Sequence, residues 1–125
     1  MIRQMFRRIF PVLVAVSLIG TLSACASPGP KNIVNPKEAI IIDVRTPQEF
    51  ASGHLTGAIN IDINAADFDQ KINTLNPTLR YLIYCRSGNR SAQALVRMQT
   101  LGFDNTLDLG SVESASESTG VGVTR

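Results

Sequence analysis

The chain has 125 residues, enough for one domain of ordinary size but not for two. Hydrophobic residues make up 44% and charged residues 18%, which excludes a compositionally disordered chain. The formal charge is +2, but beyond residue 24 nine basic residues face ten acidic ones, so there is no electrostatic case for nucleic acid as a partner. One histidine and two cysteines are too few for a zinc cluster, and the sequence has no CxxC or glycine-rich phosphate motif.

The N-terminus is typical of a secretory signal peptide. Residues 1–8 carry three arginines and no acid, and residues 9–21 are apolar and uncharged, which is shorter than the roughly 20 residues of a membrane span. The run ends in Leu22-Ser23-Ala24-Cys25, which resembles a bacterial lipobox. The resemblance implies cleavage after residue 24 and acylation of Cys25 with diacylglycerol and a chain such as palmitate. The alternative is an uncleaved anchor helix with a chance cysteine.

These features predict three segments. Residues 1–24 are a lipoprotein signal peptide, residues 25–35 are the lipidated cysteine with a small, proline-rich tether, and residues 36–125 are the folded domain, with the last ten or so frayed. Two or more acyl chains anchor a protein stably to a membrane. We expect an exported protein, lipid-anchored to a bacterial membrane and facing the periplasm or the cell exterior. Ala26 favours the outer membrane, since an Asp there is the usual signal for the inner one.

Strand and helix patterns alternate along the rest of the chain. A continuous β-branched run predicts a buried first strand, and the spacing of Thr46, Pro47 and Glu49 predicts a helix with a capping box that ends at Gly53. The predicted strands are residues 39–44, 58–62, 81–84 and 106–109; the other predicted helices are 65–75, 91–101 and a weak one from residue 111. This alternation predicts an α/β fold with a small, mostly parallel sheet flanked by helices.

Cys85 follows the third predicted strand, at the sheet edge where sites form. With the sulfur of Cys25 blocked, it is the only free thiol of an exported protein. The loop after it can point N–H groups at an anion, and the helix N-terminus and two arginines add positive charge; its residues are Arg86, Ser87, Gly88, Asn89, Arg90 and Ser91. We therefore expect a thiolate nucleophile of lowered pKa that acts on an anionic substrate. The alternative is a buried structural cysteine.

Two stretches of the chain resemble single-domain rhodaneses, a family of sulfurtransferases. One runs from Asp43 to Asn60 and the other from Tyr84 to Ser91. Among known types, the chain is most similar to the short exported phage-shock-type rhodaneses. The resemblance implies a three-layer rhodanese-like domain in which Cys85 takes sulfur from a small anionic donor such as thiosulfate and becomes a persulfide. Cyanide or a thiol, such as that of a thioredoxin-like protein, then accepts the sulfur, and no metal or organic cofactor is required.

The resemblance also implies roles for other residues. The loop from Arg86 to Ser91 would bind substrate, with its N–H groups stabilising the persulfide and with Arg86 and Arg90 attracting the donor. Asp43 and Arg45 are expected to brace the sheet and the loop through hydrogen bonds or a salt bridge. His54 is expected to be structural, hydrogen-bonded in its turn; the alternative is a general base, which a preformed thiolate does not need.

Some positions depart from the family pattern, and other functions stay open. Thr56 stands where a proline is usual, the elements before Ala39 are short or absent, and residues 109–112 replace the usual Gly-Gly and tryptophan. A cysteine phosphatase or arsenate reductase is one alternative, although these use Cys-x5-Arg and the spacing from Cys85 to Arg90 is Cys-x4-Arg. A non-catalytic or carrier-type lipoprotein that binds a partner is another.

Overall fold

A four-stranded parallel sheet forms the centre of the protein in the computed structural model, which describes residues 34–125. The six strands are β1 (Ile40–Asp43), β2 (His54–Leu55), β3 (Ile59–Asn60), β4 (Tyr81–Tyr84), β5 (Thr106–Asp108) and β6 (Val123–Thr124). The central sheet has the order β3-β1-β4-β5, and β2 pairs with β6 in a separate antiparallel ribbon. A short 3₁₀ helix (Pro36–Glu38) precedes four α-helices: α1 (Pro47–Ser52), α2 (Phe68–Asn73), α3 (Asn89–Thr100) and α4 (Val112–Thr119).

Apolar side chains are buried on both faces of this sheet. Successive residues of a strand point to opposite faces, so Ile42 and Ile83 join one apolar cluster while Ile41 and Leu82 join another. The first cluster includes side chains of α2 and α3, and the second includes side chains of α1, β2 and α4. The predicted fold is confirmed: helices cover both faces of a parallel sheet, and for this reason the strands are continuous apolar runs.

The predicted elements are present with shifted ends. The capping box of α1 forms as predicted: the Glu49 N–H donates to Thr46 Oγ1 at 3.2 Å, and the Thr46 N–H donates to Glu49 Oε2 at 3.0 Å. Helix α2 is shorter than the predicted 65–75, because residues 65–67 form a turn before it. Helix α3 begins two residues earlier than predicted, directly after Gly88, whose φ is +93°.

The C-terminus differs from the frayed end that the sequence predicts. Helix α4 continues to Thr119, and β6 then pairs with β2 in the register His54 with Thr124 and Leu55 with Val123. The Thr56 N–H also donates to the Gly122 carbonyl at 2.9 Å. The partner strand is about 70 residues away in sequence, so no local pattern of residues 120–125 indicates this pairing.

Within residues 34–125, no helix has the length and the apolarity needed to cross a membrane. The predicted signal peptide, Cys25 and residues 26–33 of the tether lie outside the described residues, so lipid anchoring stays a prediction.

Candidate active site

The Cys85 sulfur lies at the carboxyl end of β4, where the loop from Arg86 to Ser91 wraps around it. The residue is fully buried, and its N–H donates to the Gly110 carbonyl at 2.9 Å. The sulfur accepts a hydrogen bond from the Gly88 N–H at 2.9 Å and lies 3.5 Å from Ser91 Oγ. The Gly88 N–H and the Ser91 hydroxyl group thus contact the thiol at the start of α3.

Hydrogen bonds make this thiol easier to ionise. Burial raises the pKa of Cys85, but the Ser91 hydroxyl and the backbone N–H groups of Ser91, Ser87 and Gly88 outweigh it, so the pKa lies below the ordinary thiol value. The sequence predicts this direction and names the loop N–H groups, the helix N-terminus and two arginines as causes. In the structure, the hydrogen-bond donors of the loop are the main causes that lower the pKa.

Ser91 is fully buried and can serve both protonation states of the sulfur. With the thiol protonated, the S–H donates to Ser91 Oγ, which itself donates to the Gly88 carbonyl at 3.1 Å. A hydroxyl has a single proton on a rotatable bond. When Cys85 ionises, that proton can turn from the carbonyl to the sulfur, so the site gains a donor for the anion without moving its backbone.

Two glycines, Gly88 and Gly110, lie close together where the cysteine loop meets the segment after β5. Gly88 has a φ of +93°, and a Cβ on it would lie 3.4 Å from Gly110 Cα. The neighbouring Ser87 forms an antiparallel bridge with Ser111, which is the N-cap of α4. The cysteine loop is thus seated directly on the β5–α4 connection.

Arg90 is held in an ion pair with α1. Its two terminal nitrogens donate to the two Glu49 carboxylate oxygens at 2.8 and 3.0 Å. The hydrogen bonds from Arg90 lower the pKa of Glu49 to about 2. The sequence predicts that Arg90 attracts the donor, whereas this guanidinium is already occupied and its charge is balanced.

Arg86 has the opposite environment. Its side chain is exposed and lines a cleft of about 420 Å³ that opens beside the cysteine loop. The other lining residues come from the β1–α1 connection, from α1 and the turn after it, from α4 and from β6: Arg45, Glu49, Ser52, Gly53, Val112, Glu113 and Val123. Arg86 is thus the loop arginine placed to meet an anionic ligand. Asn89 and Ser87 are exposed on the same loop.

Asp43 and Arg45 form the predicted brace. Both are buried, and the Arg45 guanidinium donates to both Asp43 oxygens at 2.7 to 3.0 Å and to the Gly53 carbonyl at 2.6 Å. The Asn60 amide donates to the carbonyls of Asp43 and Arg45 at 3.0 and 2.9 Å. This network fixes the end of β1 to β3 and to the turn after α1, so it supports one wall of the cleft.

His54 contacts residues of the α1–β2 turn. Its Nδ1 lies 2.8 Å from the Phe50 carbonyl, and its ring stacks on the Phe50 ring with centroids 3.6 Å apart. None of these contacts involves Cys85, and the position matches the structural role expected from the sequence.

Sequence reasoning missed two residues of the site. Glu49 is recognisable only as a capping residue, and Glu113 lies in a weak helix without a motif. Only the packing of α1 and α4 around the loop brings them to the cleft. Across residues 34–125, no group of three or more His, Cys, Asp or Glu side chains is arranged to hold a metal ion.

Comparison with known proteins identifies the family. Residues 31–115 match the Rhodanese-like domain, and the chain belongs to this family. It is 38% identical over 80 residues to thiosulfate sulfurtransferase GlpE of Pseudomonas putida, covering 63% of this chain and 67% of that protein. It is 36% identical over 72 residues to GlpE of Pseudomonas entomophila, covering 57% and 63%. The chain thus spans about two thirds of the length of these relatives.

Solved structures share the fold. The rhodanese-like domain of the Alr3790 protein from Anabaena superposes with a TM-score of 0.60 at 22% identity, covering 69% of this chain and 86% of that one. A rhodanese-related protein from Thermoplasma volcanium has a TM-score of 0.59 at 31% identity, covering 70% and 85%.

Proposed function

We propose that the protein is a sulfurtransferase that carries sulfane sulfur as a persulfide on Cys85. The observation that carries this proposal is the buried sulfur, which accepts a hydrogen bond from the Gly88 N–H, lies 3.5 Å from Ser91 Oγ and has a lowered pKa. Relatives named thiosulfate sulfurtransferase, and a protein of Allochromatium vinosum named sulfurtransferase that is 27% identical over 79 residues, support it.

In the first half-reaction the Cys85 thiolate attacks the outer sulfur of an anionic donor such as thiosulfate. A bond forms between Sγ and that sulfur, the S–S bond of the donor breaks, and its electron pair leaves with sulfite. Arg86 draws the dianion to the cleft. The N–H groups of the loop then stabilise the negative outer sulfur of the persulfide, as oriented donors do for a developing anion.

In the second half-reaction a thiophilic acceptor attacks the outer sulfur. The new bond joins sulfur to cyanide or to a thiolate, the Cys85 persulfide bond breaks, and its electron pair returns to Sγ. The enzyme regains its thiolate, so Cys85 itself needs no general base. We include small thiols and the thiol of a thioredoxin-like protein among the acceptors.

We further propose that residues 25–35 tether this domain to a bacterial membrane through acylated Cys25. The support is the charge pattern of residues 1–8, the apolar run and the lipobox-like residues 22–25. The domain would face the periplasm, with the outer membrane favoured by Ala26, or the cell exterior. Fatty-acid labelling of cells that express the chain or its Cys25→Ser variant tests this: label on the variant would contradict it.

Turnover tests the chemistry. The full chain in detergent is supplied with thiosulfate and cyanide, and thiocyanate is measured beside Cys85→Ser, which keeps Cys25. Thiocyanate formed by the native chain alone supports the proposal. Hydrolysis of an aryl phosphate or reduction of arsenate, without thiocyanate, would favour the phosphatase or reductase alternative. That alternative requires an arginine at the bound oxyanion, whereas Arg90 is held by Glu49.

A further inference from the structure

The cleft beside the cysteine loop has the size of a small-molecule site. Its volume of about 420 Å³ lies in the usual range, which is about 300–1,000 Å³. Helices α1 and α4 supply its walls, Arg86 enters from the cysteine loop, and Val123 of β6 adds an apolar side. A bound molecule would therefore be adjacent to the residue that follows Cys85.

Two of the four charged side chains around this cleft are already neutralised. Arg45 is paired with Asp43, and Glu49 is paired with Arg90. Across residues 34–125, neither Arg86 nor Glu113 forms a hydrogen bond or an ion pair through its side chain. The cleft thus offers a ligand one available cation and one available anion.

The backbone fixes both of these residues relative to the sulfur. Ser87 and Ser111 form a bridge. Arg86 lies immediately before Ser87, and Glu113 lies two residues after Ser111, in the first turn of α4. Both side chains therefore project from the two segments that meet next to Cys85, and the bridge holds the backbones of these segments together.

We propose that this cleft selects acceptor thiols that carry both an ammonium and a carboxylate group, the chemistry of a cysteine-like amino acid. The inference rests on the proposed sulfurtransferase function and specifies its acceptor. Arg86 binds the carboxylate, Glu113 binds the ammonium, and Val112 and Val123 contact the carbon chain. The acceptor thiolate attacks the outer persulfide sulfur, the S–S bond to Sγ breaks, and the products are the acceptor persulfide and the Cys85 thiolate.

Glu113 is the cleft residue that favours an acceptor with an ammonium group over the thiosulfate donor. Thiosulfate carries two negative charges, so an unpaired carboxylate in the cleft opposes its approach. A ligand with an ammonium group converts that same carboxylate into an attractive contact. Removal of the Glu113 charge should therefore affect the two half-reactions in opposite directions, which a purely structural role would not produce.

Single-turnover transfer tests the inference. The full chain in detergent is loaded with sulfur from thiosulfate, and the rate of sulfur loss is measured with four thiols: cysteine, cysteamine, 3-mercaptopropionate and 2-mercaptoethanol. Rates are compared as ratios of variant to native chain, because intrinsic thiol reactivity cancels in that ratio. Glu113→Gln should slow cysteine and cysteamine about fivefold, the size expected of an exposed charge pair, and leave the other two unchanged. Arg86→Gln should slow cysteine and 3-mercaptopropionate.

A second readout and a charge-matched control complete the test. Glu113→Gln should lower the KM for thiosulfate about twofold to threefold, while Glu38→Gln, an exposed change outside the cleft, should alter neither half-reaction. The same ratio of variant to native rate for all four thiols in Glu113→Gln, while cyanide still removes the sulfur, would overturn the acceptor assignment alone. Failure of the native chain to take up sulfur would overturn the proposed function, and this inference with it.

Discussion

Glu49 and Arg90 join the start of α1 to the start of α3 through two hydrogen bonds of 2.8 and 3.0 Å, although 41 residues separate them in the sequence. The same carboxylate closes the capping box of α1. The cysteine loop is therefore held on one side by α1 and on the other by the bridge from Ser87 to Ser111. The pair also balances the charge of Arg90, which leaves Arg86 as the loop cation directed at the cleft.

Loss of the Arg86 charge should weaken the binding of thiosulfate more than it slows the sulfur-transfer step. We expect Arg86→Gln to raise the KM for thiosulfate about fivefold to tenfold with little change in kcat, because the side chain is exposed and does not contact the sulfur. Steady-state thiocyanate formation at several ionic strengths measures this. The KM of the native chain should rise with salt and that of the variant should not. A variant that lost kcat at unchanged KM would show that Arg86 acts in the transition state instead.

Loss of the Glu49 carboxylate should destabilise the fold. The two partners of the pair are 28% and 23% exposed, between a surface pair and a buried one, so Glu49→Gln should cost about 1–2 kcal/mol in unfolding free energy. Denaturant titration measures this value. Asp67→Asn, which removes a half-exposed pair with Lys71, is the control and should cost less than about 0.5 kcal/mol. Equal costs for the two variants would contradict the structural role of the Glu49 pair.

The Glu49 pair also predicts how stability depends on pH. The pKa of Glu49 is about 2 in the folded chain and ordinarily 4.5, so its contribution is complete above pH 4.5 and disappears as the pH falls toward 2. The difference in unfolding free energy between the native chain and Glu49→Gln should be constant from pH 7 to 5. It should shrink over the two to three pH units below that. A difference that persisted at pH 2 would mean that the carboxylate charge is not the cause.

Ser91 should control the acidity of Cys85. In Ser91→Ala the sulfur loses its hydroxyl partner while burial still opposes ionisation, so the pKa of Cys85 should rise. The pH dependence of Cys85 alkylation, followed on the peptide that contains it, measures this shift. Ser87→Ala is the matched control, because Ser87 contributes through its backbone N–H and its side chain is exposed. The same shift in both variants would point to disturbed loop geometry.

Alanine variants at two glycines of nearly equal φ distinguish the effect of backbone strain from the effect of loop packing. Gly88 and Gly102 have φ values of +93° and +94°, but of the two only Gly88 faces another segment closely: a Cβ there would lie 3.4 Å from Gly110 Cα, whereas one on Gly102 would meet nothing within 4 Å. Both alanine variants should lose about 1 kcal/mol of stability from the positive φ. Gly88→Ala should in addition slow sulfur uptake, because the new methyl group would contact Gly110 and the strained residue is the one whose N–H donates to the Cys85 sulfur. Equal sulfur uptake in the two variants would show that this contact does not shape the site.

Local patterns predict most of the fold and the centre of the site. Thr46, Pro47 and Glu49 indicate the start of α1, and the apolar runs indicate strands buried on both faces, because these signals lie within a few residues of one another. The position of Cys85 at a strand end follows from the same kind of local pattern, whereas the brace between Asp43 and Arg45 is expected only from the family resemblance.

Long-range pairings are what the sequence does not show. The partner of Arg90 is 41 residues away, and the pairing of β6 with β2 spans about 70 residues. An arginine that lies close to a nucleophile in the sequence predicts a substrate contact. The sequence does not show whether its guanidinium is free or already paired. For the same reason Glu113 becomes recognisable as a cleft residue only when α4 is seen beside the loop.

Transfer of one sulfur atom to Cys85 is the most direct test of the proposed function. The intact mass of the full chain in detergent is measured after incubation with thiosulfate and again after cyanide, beside Cys85→Ser, which retains Cys25. The native chain should gain the mass of one sulfur atom, and cyanide should remove it with release of an equal amount of thiocyanate. No gain in a folded chain whose Cys85 still reacts with a small alkylating agent, or an equal gain in Cys85→Ser, would contradict a Cys85 persulfide formed from thiosulfate.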